Sequence, residues 1–93
     1  MAETDIVKAR GDMPEPETAV LVRALRDRLP DAYGRLYDRF APGIRRFAAA
    51  WVAGDVQLAE EIVIDTLAGV ARDIGRYNPR QATLAAWVYG IAR

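Results

Sequence analysis

Between Leu36 and Val70 apolar side chains return every three or four residues, and this period constrains the fold more than any other feature. Leu36, Phe40, Ile44, Phe47 and Trp51 form one series; Ala59, Val63, Leu67 and Val70 form a second. A helix of about 3.6 residues per turn gathers residues so spaced onto one face. No stretch shows the two-residue alternation of a half-buried strand. The expected fold is all-α, a compact bundle of four to five helices.

Punctuation residues divide the chain. Residues 1–16 are polar and acidic and end in "GDMPEPE", which suits a disordered leader ahead of a helical domain over 17–93. A first helix is expected over Glu17 to Arg28, with Val20, Leu21, Leu25 and Leu29 inward and Pro30 as its stop. Asp31 is placed to cap a second helix, expected to run to Gly54. Pro42 removes a backbone donor and clashes one turn back, so a kink or break is expected near Ala41. Asp55 then caps a third helix, Val56 to Ile74, whose seam is Ala59, Val63, Leu67 and Val70, with Gly69 a weak point. "GRYNPRQAT" reads as a loop. Thr83 caps a last helix, in which Leu84, Trp87, Val88 and Ile91 form a core stripe and Tyr89 faces elsewhere. That pattern still runs at Arg93, so the sequence is read as a fragment of a longer protein.

Composition removes whole branches of chemistry. With Cys 0 and His 0 there is no disulfide, thiolate nucleophile, imidazole base or zinc set to build. No glycine-rich phosphate loop is present either, so no enzyme, metal or cofactor is expected. The net charge of +0 favours neither nucleic acid nor membrane, but its distribution is uneven. Asp55 to Asp65 carries only acids, whereas Arg72, Arg76, Arg80 and Arg93 outweigh Asp73. Such a domain is suited to two unlike partners. Arg35, Arg39, Arg45 and Arg46 read as solvated faces or as partners for Asp38 and nearby acids. The longest uncharged apolar run, "FAAAWVAG", is far short of the roughly 20 residues of a membrane span. A cytoplasmic protein is expected.

The motif order "DAYGRLYDRFAP", "GDVQLAEEIVIDTL", "RYNPRQATLAAWVYGIAR" resembles the second conserved domain of bacterial sigma factors, and within them the extracytoplasmic-function (ECF) group. The resemblance covers about Val20 to Arg93. It implies a transcription initiation factor that binds the β′ clamp helices of core RNA polymerase and recognises and melts the promoter minus-ten element. An anti-sigma factor is a further implied partner. Carried over position by position, Glu60, Glu61, Ile64, Asp65 and Ala68 would dock on the clamp. Tyr77, Asn78, Arg80, Gln81 and Thr83 would hold the non-template strand, joined by Tyr89 and Arg93.

Four positions depart from the family pattern. Ile64 stands for the usual glutamine, Leu67 for phenylalanine, Ala71 for a common tryptophan and Gly90 for a basic residue. They leave a second reading open, a sigma-factor mimic that sequesters an anti-sigma factor without binding promoter DNA. Ile64 is the point of interest, a branched aliphatic residue set among Glu60, Glu61 and Asp65.

Overall fold

The computed structural model describes residues 15–92. The stretch 1–14, which holds most of the expected leader, and Arg93 lie outside the described residues. Among the described residues there are four α-helices and no strand: α1 (Glu15–Arg26), α2 (Ala32–Ala49), α3 (Val56–Asp73) and α4 (Leu84–Ala92), with a 3₁₀ turn at Ile74–Arg76 between the last two. None is long and apolar enough to cross a membrane.

The first helix starts and ends two residues earlier than its apolar pattern suggests. Arg28 adopts a positive φ of 57°, and the amides of Arg28 and Leu29 return to the carbonyls of Leu25 and Ala24. This reciprocal pair closes the helix as a Schellman motif before Pro30 is reached. The reversal also swings Leu29 outward, and Val20 lies outside the buried arc, so both are exposed. Leu21, Val22, Ala24 and Leu25 form the inner face instead.

Pro42 does not break α2, which runs unbroken through it. The cost of proline here is one donor to the Asp38 carbonyl, and both residues are exposed, so that carbonyl is on the solvent side. The helix ends at Ala49, five residues before the expected Gly54. Ala53 and Gly54 take positive φ values of 53° and 84° and turn the chain into α3. Trp51 therefore lies beyond the helix, exposed, with its ring 4.8 Å from that of Phe47.

The third helix is the centre of the domain. Ala59, Val63, Leu67 and Val70 are all buried, as their spacing predicts, and Gly69 is buried beside Ile91. The Asp55 side chain accepts the Leu58 amide at 3.0 Å and caps the helix. Asp31, at the corresponding place before α2, makes no side-chain cap bond. α2 and α3 pack as a hairpin, α4 lies on α3, and α1 packs on α2 and on the 3₁₀ turn. One apolar cluster joins Leu21, Leu36, Ile44, Val63, Leu67 and Val88. A seam so placed leaves the opposite side of α3 facing solvent.

Candidate functional site

The solvent side of α3 carries Glu61, Ile64, Asp65 and Ala68, all exposed and on one stripe. Ile64 is 49% exposed in the middle of it. Glu60 is turned away from this stripe. Its carboxylate accepts the Tyr37 hydroxyl at 2.7 Å and the Arg45 Nε at 2.8 Å, and Arg45 also donates to the Tyr37 oxygen. The hydrogen bond from Arg45, then that from Tyr37, holds the Glu60 carboxyl below its ordinary range. The same bond to Glu60 raises the Tyr37 phenol. Glu60 thus ties α3 to α2, and Arg45 finds its partner there rather than at Asp38. No local sequence pattern links Tyr37, Arg45 and Glu60; only the hairpin brings them together.

The second cluster lies at the other end of α3. Tyr77 is buried at 5% exposure, its hydroxyl donates to the Ala82 carbonyl at 2.9 Å, and its ring packs 5.3 Å from Trp87. Buried to this extent, with its hydroxyl and ring so engaged, Tyr77 is a core residue rather than the exposed stacking platform expected. Asn78, Arg80, Gln81 and Thr83 are exposed. Asn78 Oδ1 accepts the Arg80 amide at 2.9 Å, an Asx turn that shapes the loop after Pro79. Thr83 Oγ1 accepts the Ala86 amide at 3.1 Å, so it caps α4 as its position suggests.

Tyr89 is not free on the surface. It is half-buried, edge-on to Phe47 at 5.5 Å, with its hydroxyl against the backbone of Gly43. A Cβ at Gly43 would collide with that oxygen. The Pro42–Gly43 pair therefore leaves α2 helical and gives α4 a notch to sit in. Arg93 lies outside the described residues.

Two arginines not anticipated for this end come from the end of α1 and the turn after it. Arg26 donates to the Tyr77 carbonyl at 2.8 Å, and Arg28 donates to the Ala71 carbonyl at 3.0 Å. These contacts span 51 and 43 residues, so no local signal in the sequence announces them. Asp73 is held below its ordinary range chiefly by its bond to Arg72. The acidic stripe and the arginine-rich turn thus sit at opposite ends of one helix.

An all-α hairpin core, with an acidic outer stripe and a polar loop leading into a capped final helix, agrees with the all-α fold that the sequence resemblance implies. A family model for sigma-70 region 2 matches residues 36–93, and the chain belongs to that family. The ECF RNA polymerase sigma factor RpoE of Cereibacter sphaeroides is 35% identical over 75 residues, covering 78% of this chain and 40% of that protein. The chain spans about 40% of that relative's length. It has no significant match among solved structures.

Proposed function

We propose that this domain joins core RNA polymerase to promoter DNA at the start of transcription, in the cytoplasm, without catalysis of its own. The observation that carries this reading is the match to sigma-70 region 2 on a chain whose α3 presents an exposed stripe of matching residues. Glu61 and Asp65 lie one turn apart and can both meet basic residues on the β′ clamp helices. Ile64 between them supplies an apolar centre that a partner surface would desolvate, the layout of an interface hot spot. Glu60 holds α3 in place behind that stripe.

The loop after Tyr77 would meet the non-template strand of the minus-ten element. Asn78, Arg80 and Gln81 offer amide and guanidinium groups to bases and phosphates, while Tyr77 anchors the loop from below. Thr83 and Tyr89 position α4, and Arg93 follows it. An anti-sigma factor would compete for the α3 stripe.

Binding of the chain to purified core polymerase, followed by fluorescence anisotropy, tests this reading. Ile64→Gln should melt like the parent chain and change polymerase affinity measurably, since it trades an apolar anchor for the amide usual in the family. Unchanged affinity would remove Ile64 from the interface. A parent chain that ignores polymerase but binds an anti-sigma factor tightly would make it a mimic instead.

A further inference from the structure

Residues 21–28 and 72–80 carry Arg23, Arg26, Arg28, Arg72, Arg76 and Arg80 against Asp27 and Asp73. The two segments are far apart in sequence and adjacent in space. Arg26 reaches the Tyr77 carbonyl and Arg28 the Ala71 carbonyl, so the C-terminal half of α1 lies along the 3₁₀ turn. A carbonyl fixes a guanidinium but does not neutralise it. Arg72 is paired with Asp73 at 3.2 Å and Arg23 loosely with Asp27 at 3.6 Å. The remaining positive charge is concentrated on one end of the domain.

Between the segments is a cleft of about 250 Å³. Val22, Arg23 and Arg26 of α1 form one wall, and Tyr77 and Pro79 of the loop form the other. Its lining is largely apolar, with Arg23 and Arg26 the charged residues in it. Asn78 and Arg80 flank Pro79 at the outer edge.

We propose that α1 is the second wall of the nucleic-acid site, with Arg23 and Arg26 holding backbone phosphates of the single strand whose bases meet residues 78–81. The assignment rests on the reading of the loop as a DNA contact and extends it to a helix that lies outside the region the family model matches. A phosphate chain fits this surface because it needs several fixed positive charges in a row and no particular base. Arg26 is held in place by the Tyr77 carbonyl and so is pre-oriented, whereas Arg23 is exposed and tethered only loosely by Asp27. Base discrimination then belongs to the loop, and affinity to the wall.

The test uses the 93-residue chain and two labelled single-stranded DNA oligonucleotides of unlike sequence, titrated over a range of salt concentrations. Each phosphate contact to a single strand contributes about 0.7 to the slope of log affinity against log salt, or roughly fivefold in affinity at 0.1 M salt. Arg23→Gln should weaken binding to both oligonucleotides by that same factor and lower the slope by about 0.7, with Arg23→Lys restoring it. Gln57→Glu changes net charge by the same amount on the far stripe of α3 and should leave the slope unchanged. If Arg23→Gln binds as the parent does, or Gln57→Glu reproduces its effect, the α1 wall is wrong and the loop reading stands. If the parent chain binds neither oligonucleotide, both fall together.

Discussion

Gly43→Ala is the substitution whose outcome the packing of α4 dictates most directly. In an exposed helix the change would stabilise by about 1 kcal/mol, since glycine is that much poorer than alanine within a helix. Here the added methyl would meet the Tyr89 hydroxyl inside contact distance. Tyr89 can yield only by leaving its edge-on contact with Phe47, at 5.5 Å between centroids. Forced repacking of this kind costs about 1–3 kcal/mol, so the single variant should be less stable than the parent by up to about 2 kcal/mol. Tyr89→Phe removes the clashing atom. The next neighbours of the new methyl are then ring carbon Cζ at 3.5 Å and Arg46 Nη2 at 3.8 Å, both ordinary contacts. In the Tyr89→Phe background, Gly43→Ala should therefore recover its helical gain of about 1 kcal/mol. The coupling between the two sites is then about 1–3 kcal/mol, outside the error of a double-mutant cycle. Thermal melts followed by circular dichroism would read it, at roughly 4–8 °C per kcal/mol for a domain of this size. If Gly43→Ala stabilises the chain equally with and without the Tyr89 hydroxyl, Tyr89 does not sit over Gly43 and the account of the Pro42–Gly43 pair fails.

Two further predictions concern the ends and the electrostatics of the hairpin. Asp55→Ala should cost about 1 kcal/mol in melting experiments, because it frees the Leu58 amide, whereas Asp31→Ala, which loses no cap bond, should be near neutral. Equal losses at the two sites would contradict the capping geometry. Glu60 is held below its ordinary carboxyl value of 4.5, so its contribution is complete above that value and is lost as pH falls through the lowered one. Tyr37 is raised above 10.0, so its contribution is present below that pH and is lost as pH rises through the raised value. Glu60→Gln should accordingly flatten the acid limb of melting temperature against pH; an unchanged limb would mean the network does not form in solution.

The inner face of α3, the caps at Asp55 and Thr83, and the exposure of Ile64 could be read from the chain itself. Each depends on neighbours within a turn or so: the 3.6-residue period, a side-chain oxygen before a helix, an odd residue on a polar arc. The candidate docking stripe was legible for the same reason, apart from Glu60. At Val20, Leu29 and Trp51 the period was a poor guide. Where a helix stops decides whether the next apolar residue continues its face: α1 closes through Arg28 at positive φ before Pro30, and α2 stops at Ala49, well short of Gly54.

What the sequence determined, then, was local: which stretches are helical, which face of each is apolar, and which family the order of motifs belongs to. Tertiary structure alone decided the rest. Pro42 is tolerated because its missing bond faces water, and Tyr77 is core because α4 and α1 close over it. Glu60 is a tie rather than a free acid because the hairpin delivers Tyr37 and Arg45 to it. Arg26 reaches the loop at Tyr77 and Arg28 the end of α3 at Ala71, from 51 and 43 residues away. In each case the partner is distant along the chain and near in space, and no period of three or four residues carries that information.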